Sequence, residues 1–535
     1  MTELLLGPLL RHVNADSATI WVETDGPCEV GVAEAAARTF EVAGHHYALV
    51  VLTGLEPGRS TPYEVRLDGE LVWPEPDSTL PPSRIRTLRP GDPRFRLVFG
   101  SCRKPREQDA LGPDALAAYA HRMAGLDEAE WPESLLLLGD QVYADETTDA
   151  TREWLAKRRD TGKPPGNEVA DFEEYCHLYS EAWCDPAVRW LLSTVPTSMI
   201  FDDHDVRDDW NTSQAWREEM AATSWWPERI RGALVSYWVY QHLGNLGPDE
   251  LAEDDVYQQV IDSGEDNAGL LREFADRADA EADGAKGTRW SYRRDFGPVR
   301  LLVIDSRAGR ILAGGTRSMV GEDEFRWIEE QASGDFEHLL IGTSLPWLLP
   351  TALSAAQSVN ERLCARPGVV GRVSEWFRQL ADLEHWPAFR DSFDRLATLI
   401  TGVADRGVAS VNVLSGDVHH AYVARADLPG APVHQLTCSP VHNTVPWYMN
   451  RLFRAGWARG LTRLSDGLAR RIGVPPAPLT WSCVSGPHFG NAVMTLDVDG
   501  REATATLLRP EAEGKPVPLT RGWVRRGHPG PADRR

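Results

Sequence analysis

Six short apolar runs in this chain each stop at a cluster of polar side chains. The clearest spans residues 135–138 and is followed at once by a glycine, Asp140 and Tyr143. An apolar run of this length, bounded by glycine, is typical of a strand that is buried on both faces. In open α/β sheets the residues that follow such strands lie at the carboxyl edge, where these folds carry out their chemistry. The pattern therefore predicts an α/β domain with a functional edge.

The other five runs repeat this construction. Residues 96–102 end in a thiol, residues 198–205 in three carboxylates with an imidazole, and residues 300–307 in Asp with Arg. Residues 338–346 end in hydroxyls, and residues 411–420 in Asp with two His. Five of the six runs are thus followed by side chains that can bind a metal, which a set of unrelated turns would not explain. We interpret the runs together as a metal site that is assembled from strand ends.

Composition and charge restrict the class of protein. With 535 residues, of which 42% are hydrophobic, the chain is long enough for two or three domains with large cores. A formal net charge of −23 argues against general binding of nucleic acid or of anionic membranes. No apolar run approaches the roughly 18 residues needed to span a bilayer. The oligomeric state stays open.

The first residues and the cysteines suggest a cellular compartment. The first residues lack the basic region of a signal peptide and lead directly into strand-like alternation. The seven cysteines are irregularly spaced, as reduced thiols are, and do not form the regular pattern of a disulfide framework. We therefore expect a cytoplasmic protein.

Turn signals and periodicity divide the chain into three segments. Residues 1–90 alternate with period two between turns, which predicts a small N-terminal β-sandwich of fibronectin or Ig-like type for packing or access. Residues 95–510 form the predicted α/β catalytic domain, and residues 511–535 a C-terminal tail. Within the catalytic domain, residues 371–403 have the periodicity of an amphipathic helix that is broken at Pro387.

The side chains that follow the strands form a mixed set of metal ligands. Carboxylates favour hard divalent ions, whereas thiolate and phenolate favour a Lewis-acidic transition metal such as ferric iron. Two different ions follow from this mixture, and Asp140 is placed to bridge them at the roughly 3.5–4 Å found in two-metal hydrolases. Such a pair activates a bound water and holds phosphoryl oxygens, so the predicted reaction class is phosphoester hydrolysis.

Four motifs resemble the alkaline phosphatase D (PhoD-like) family of the metallophosphatase superfamily. They are Gly100-Ser101-Cys102, Gly139-Asp140-Gln141-Val142-Tyr143, Asp202-Asp203-His204-Asp205-Val206 and Gly416-Asp417-Val418-His419. The family is similar to purple acid phosphatases in its Gly-Asp-x-x-Tyr motif. The resemblance implies a four-layer αββα metallophosphatase-type sandwich, preceded by a small β module.

The resemblance also implies roles for individual residues. Ferric iron would be held by four side chains, those of Cys102, Asp140, Tyr143 and His419. Asp140 would bridge to Ca²⁺, or to Mg²⁺ or Mn²⁺ in looser relatives, with Asp203 and Asp417 on this second ion. His204, beside Asp203, stands where the superfamily places a His that binds the phosphoryl oxygen or protonates the leaving group.

Two points stay open. The third motif of the family usually continues into two asparagines, whereas this chain has Asp208 and Asp209. If Asp208 or Asp209 replaces a neutral asparagine ligand, the second site gains negative charge and favours a hard divalent ion. If Asn211 takes this role, the site does not gain that charge. Asp305 and Arg307 have two equally good interpretations. Asp305 is a metal ligand and Arg307 a phosphate-binding, catalytic residue, or the two form a structural ion pair.

We therefore predict a metal-dependent phosphoester hydrolase that acts on small phosphomonoesters, phosphodiesters or both, using Fe³⁺ and Ca²⁺. The alternative is a catalytically silent member of the same fold, in which the metals only stabilise a binding scaffold. The retained Cys102, Tyr143 and His419 argue against that alternative. A metal-independent hydrolase using Cys102 with His204 is less favoured, because no nucleophile elbow precedes a helix.

Overall fold

The N-terminal part of the chain is an all-β module. A computed structural model describes residues 2–105, 111–285, 288–313, 317–445, 447–511 and 516–521. The strands of the module are β1 Leu4–Val13, β2 Ser17–Thr24, β3 Glu29–Val32, β4 Ala35–Arg38, β5 Phe40–Val42, β6 His45–Thr53, β7 Ser60–Pro62, β8 Val65–Leu67, β9 Glu70–Trp73 and β10 Arg84–Arg86. Two antiparallel sheets, in the orders β1-β2-β6-β5 and β4-β3-β8-β9, enclose a common apolar core.

The module packs tightly against the rest of the chain. The ring of Trp21, on the outward face of β2, lies 5.2 Å from the ring of Tyr240. The fully buried Arg11 donates to the backbone oxygens of Thr197, Tyr240 and Gln241 at 3.1, 2.6 and 2.6 Å. Strand β2 is therefore buried on both faces, although its alternating sequence is typical of a strand with one face in water.

The remaining strands form two larger sheets. These strands are β11 Arg94–Gly100, β12 Ser134–Leu138, β13 Thr197–Ile200, β14 Tyr292–Phe296, β15 Val299–Ile304, β16 His338–Thr343, β17 Ser410–Ser415, β18 Ala421–Ala426, β19 Val433–Thr437, β20 Trp481–His488, β21 Val493–Asp499, β22 Glu502–Pro510 and β23 Pro516–Arg521. The first sheet has the order β13-β12-β11-β21-β22-β23, and the second has the order β14-β15-β16-β17-β19-β18-β20.

The two sheets lie face to face. A Cβ placed on Gly342 in β16 would lie 3.3 Å from the side chain of Leu136 in β12, so the sheets are in close contact. Alternate residues of β15 enter different cores: Leu301 and Val303 face the first sheet, whereas Leu302 points to the outer side. This double burial explains why the strand sequences are continuously apolar.

Helices cover the outer faces of both sheets. The α-helices are α1 Ala115–Ala124, α2 Asp149–Arg158, α3 Phe172–Trp183, α4 Pro186–Thr194, α5 Gln214–Ala221, α6 Trp226–Ser236, α7 Pro248–Glu253, α8 Asp255–Ser263, α9 Ala268–Asp279, α10 Glu322–Gln331, α11 Thr351–Cys364, α12 Val369–Leu380, α13 Arg390–Ala404, α14 Trp447–Gly456 and α15 Arg459–Ile472. Helix α1 packs on the first sheet, and α10 and α13 pack on the second. The predicted four-layer αββα arrangement, preceded by an all-β module, is confirmed.

All six apolar runs form strands, and their directions place the functional edge. Strands β11, β12 and β13 are parallel to one another, as are β15, β16 and β17. The carboxyl ends within each group therefore lie at one edge of their sheet. Because the sheets face each other, the two edges can contribute side chains to one site.

The structure differs from the predicted C-terminal tail at residues 511–535. Pro516–Arg521 forms β23, which pairs antiparallel with β22 and thereby satisfies the backbone groups at that edge. Residues 512–515 and 522–535 lie outside the described part of the chain. Among the described helices, none has the length and apolar character that a membrane crossing requires.

Candidate metal centre

The turns that follow the strands have an unusual backbone. Cys102, Asp140, Asp417 and His419 have φ angles of 58, 53, 65 and 49°, in the left-handed region. A residue other than glycine is strained there by roughly 1–3 kcal/mol, and such residues concentrate at functional sites. A Cβ on Gly416 would lie 1.9 Å from Ser101 Oγ, so the glycine allows the turns of the two sheets to meet.

Three overlapping groups of side chains meet at this edge. Within each group, one potential ligand atom per residue lies within 4.8 Å of the others. The groups are Cys102, Asp140 and His419; Asp140, Asp203 and His204; and Asp202, Asp203 and Asp417. Asp140 and Asp203 each belong to two groups, so a carboxylate is shared between neighbouring positions. This is the arrangement that a bridging carboxylate requires.

Tyr143 extends the first group. Its Oη lies 3.4 Å from Asp140 Oδ2, and Asn443 donates to it from Nδ2 at 3.0 Å. The same Asn443 Nδ2 lies 3.5 Å from His419 Nε2. The four side chains predicted to hold iron are therefore neighbours, although they come from the separate turns after β11, β12 and β17.

Burial governs the protonation of these groups. It raises the pKa of the Cys102 thiol and of the Asp140 carboxyl well above their ordinary values, and nearby carboxylates raise both further. Burial also lowers the pKa of His419 to about 4, so its imidazole is neutral near neutral pH. A bound cation would offset the electrostatic repulsion among these anions and stabilise the thiolate and carboxylate forms.

Several buried carboxylate oxygens have no hydrogen-bond donor among the described residues. At this edge they include Asp140 Oδ1, Asp202 Oδ2 and Asp209 Oδ1. A buried polar atom without a partner is unfavourable, and native structures rarely leave one unexplained. Metal coordination would satisfy these atoms. The donor set fits metal ions, with sulfur, phenol and imidazole at one end and carboxylates at the other.

Arg307 lies among the carboxylates and has no exposed surface. It donates from Nε to Asp202 and pairs through Nη1 with Glu384. Its Nη2 lies 3.1 Å from Asp203 Oδ1 and 3.9 Å from Asp417 Oδ1. The guanidinium therefore positions candidate ligands, and it does not face open space as the predicted phosphate contact would.

Asp305 and Asp209 lie outside the three groups. The carboxylate of Asp305 accepts from the backbone N–H groups of Arg307, Ala308 and Gly309 at 2.8, 3.1 and 2.7 Å, so it caps the turn after β15. The backbone N–H of Asp209 donates to Asp203 Oδ2 at 3.1 Å. Burial, followed by the charges of neighbouring carboxylates, raises the pKa of Asp209 to about 10. Asp209 thus lies beside Asp203, a candidate ligand, whereas the carboxylate of Asp305 is hydrogen-bonded within its own turn.

His204 lies in the second group beside Asp145. Its Nδ1 is 3.0 Å from each carboxylate oxygen of Asp145, and its ring lies 4.8 Å from that of Tyr143. Although burial alone would lower its pKa, Asp145 and Asp203 raise the pKa of His204 well above its ordinary value. These carboxylates therefore favour the protonated imidazole, the form that can donate a hydrogen bond or a proton.

The residues that hold the ligands in place were not identified from sequence. The carboxylate of Asp205 accepts from the backbone N–H groups of Asp140 and Asp202 through Oδ2, at 2.8 and 2.9 Å, and so links the turns after β12 and β13. His385 Nε2 lies 2.9 Å from Asp417 Oδ2. Asp205 lies in the motif of residues 202–206, but the local sequence does not show that Asp205 anchors the turns whereas Asp203 is a candidate metal ligand.

We expect Asp205→Asn to weaken metal binding roughly 10–100-fold, the usual effect of losing a group that orients a ligand. The amide would place an NH₂ group against backbone donors, and the Asp140 turn would lose its anchor. Activity measured as a function of added metal reports this change. Asp254→Asn is the matched control, because Asp254 also accepts from a backbone N–H, at the start of α8. Superimposable metal titrations for Asp205→Asn and wild type would contradict the assignment.

The two sheets face each other, and their carboxyl edges bring together carboxylates, imidazoles, a thiol and a phenol. This arrangement defines a metallophosphatase-type hydrolase. Residues 101–456 match the PhoD-like phosphatase family, and residues 1–85 match a domain of unknown function (DUF7800). The chain therefore belongs to the PhoD-like phosphatase family, as its motifs predicted, and is an alkaline phosphatase D-like phosphoric ester hydrolase.

A solved structure has the same fold. It is titled "Structure of PhoD", and the match covers 97% of this chain and 89% of that chain. The TM-score is 0.57 and the sequence identity is 13%, so this likeness concerns the fold. A search of curated proteins finds no match.

Proposed function

We propose that this chain hydrolyses small phosphomonoesters, phosphodiesters or both at a dinuclear centre that contains Fe³⁺ and Ca²⁺, with Mg²⁺ or Mn²⁺ as the alternative second ion. One observation carries the proposal. Asp140 is shared between a group that contains a thiol and an imidazole and a group that contains a second carboxylate. A soft and a hard site joined by one carboxylate support two different ions.

The residues divide between the two ions by their chemistry. Cys102, Tyr143 and His419 would hold ferric iron, together with Asp140. Asp203 and Asp417 would hold the divalent ion, with the unpartnered oxygens of Asp202 and Asp209 close by. When bound, the ions would stabilise charge on phosphoryl oxygens and activate water for attack on phosphorus.

The protein groups around the ions have separate tasks in this proposal. His204, whose protonated form is favoured by the neighbouring carboxylates, would donate a proton or a hydrogen bond to the substrate oxygen. Asp145 orients this imidazole through Nδ1, so Nε2, which lies 4.0 Å from Asp208 Oδ1, would be the atom that faces the substrate. Arg307 and Asp205 hold the carboxylates and the Asp140 turn, which reduces the reorganisation needed during the reaction.

Reconstitution of metal-stripped protein tests the proposal. We expect hydrolysis of p-nitrophenyl phosphate or bis-p-nitrophenyl phosphate to return when iron and calcium are added together, and much less with either alone. The ratio of the two rates assigns the preference for monoesters or diesters. If the metals restore thermal stability without any turnover, the silent-scaffold alternative is correct and the proposal fails.

A further inference from the structure

Helix α12 turns its apolar side to the solvent. Its exposed side chains and their exposed fractions are Val369 65%, Val370 47%, Val373 57%, Trp376 63%, Phe377 49% and Leu380 63%. The side packed on α11 is small or polar: Asn360 of α11 donates to the backbone oxygen of Ser374 at 2.9 Å and accepts from Arg378 at 3.4 Å. Surface helices of globular proteins show the opposite arrangement, so the exposed face lacks a partner in the described part of the chain.

Helix α15 has a second apolar stripe. Leu461, Leu464 and Leu468 recur at helical spacing and are 40, 71 and 51% exposed. The opposite side of α15 packs on α11, where Ala469 contacts the same small core as Val359. Helices α12 and α15 thus both pack on α11, and both expose aliphatic or aromatic side chains to the solvent. Exposed apolar stripes of this kind are typical of interaction sites.

The charge of these helices is opposite to that of the whole chain. The protein has a net charge of −23, but residues 447–473 contain six arginines against Asp466 alone. Residues 362–380 contain four arginines against Glu375 alone. The arginines among them with exposed side chains are Arg362, Arg366, Arg372, Arg451, Arg454, Arg463, Arg470 and Arg471. The segments that contain the apolar stripes therefore have an excess of positive charge.

Segments next to these helices reach the candidate metal centre. The chain leaves α12 at Leu380 and reaches His385, whose Nε2 lies 2.9 Å from Asp417 Oδ2. On the other side, the ring of Phe453 in α14 lies 4.3 Å from the ring of His420, which follows His419 directly. A partner bound to the two helices would therefore sit beside the candidate catalytic site.

We propose that α12 and α15 dock this protein on an anionic lipid surface. Helices with an aromatic and aliphatic face and flanking arginines lie in the headgroup region of membranes, and anionic lipids strengthen the attraction. A second copy of this chain fits less well, because two such surfaces would bring arginines against arginines. The overall negative charge acts against lipid binding at long range, so attraction depends on this local patch and will be sensitive to salt.

Vesicle sedimentation tests the proposal without any activity measurement. We expect the full-length, metal-containing protein to pellet with phosphatidylcholine vesicles that contain about 30% phosphatidylglycerol, and not with phosphatidylcholine alone. Added salt should reduce the bound fraction. Absence of binding to the anionic vesicles would overturn the proposal, whatever the phosphatase activity of the sample.

Exposed apolar substitutions separate docking from folding. The double variant Trp376→Ser, Phe377→Ser should bind anionic vesicles at least about tenfold more weakly, with an unchanged melting temperature. Leu71→Ser is the matched control, since Leu71 on β9 is as exposed as Phe377 and lies in the N-terminal module. Equal binding by the double variant would contradict the proposal. A dimer in light scattering that this variant dissociates, without vesicle binding, would assign the surface to a second copy instead.

Discussion

Asp140→Asn is expected to lower phosphoester turnover by more than about 10³-fold while leaving the fold intact. Asp140 is the member common to the first two groups of candidate ligands, so its replacement removes a negative charge from both. Asparagine has nearly the same volume, and the backbone N–H of residue 140 would still donate to Asp205. The rate with bis-p-nitrophenyl phosphate at saturating metal, together with the circular dichroism spectrum, measures both parts of the expectation.

Asp305→Asn is the control for this variant. Asp305 also follows a buried strand and is fully buried, but its carboxylate accepts from three backbone N–H groups of its own turn. We expect the control to lose stability and to keep its metal. A near-normal rate for Asp140→Asn, or loss of both metals in Asp305→Asn, would contradict the ligand assignment.

Arg307→Met is expected to lower the free energy of unfolding by about 3–5 kcal/mol, the usual range for removing one partner of a buried ion pair. Asp202, Asp203 and Glu384 would then lose the cation that lies among them. The loss should be larger in metal-stripped protein, because bound cations partly replace the guanidinium charge. Denaturation with guanidinium chloride, with and without metal, measures both values.

Arg310→Met provides the comparison for this second prediction. Arg310 is equally buried, but it donates mainly to backbone oxygens, those of Ser306 and Asn211 at 2.8 and 3.0 Å, and contacts the single carboxylate of Glu384 at 3.4 Å. We expect its stability loss to depend little on metal. If Arg307→Met showed the same weak metal dependence, Arg307 would not be positioning the metal ligands.

The strands and several residues of the candidate site could be predicted because both signals are local. A run such as 135–138 is apolar because β12 is buried on both faces, and the polar residues that end it mark the edge of the sheet. Cys102, Asp140, Asp417 and His419 each follow a strand within a few residues, so knowledge of the strands was enough to find them.

The supporting contacts could not be predicted because they join distant parts of the chain. Asn443 reaches Tyr143 across 300 residues, and His385 comes from a loop between two helices. The periodicity of the sequence also could not predict which face of α12 packs against the protein. The pattern over residues 371–403 correctly indicates helices interrupted near Pro387, but it does not state which face of a helix is buried, and in α12 the apolar face is outside.

Elemental analysis of the purified protein would show whether these strand ends bind two cations. We expect about two equivalents of metal per chain, one of them iron and the other a divalent ion, and loss of both activity and metal in Asp140→Asn. A wild-type sample that hydrolyses phosphoesters at full rate with less than about 0.1 equivalent of any such metal would contradict it.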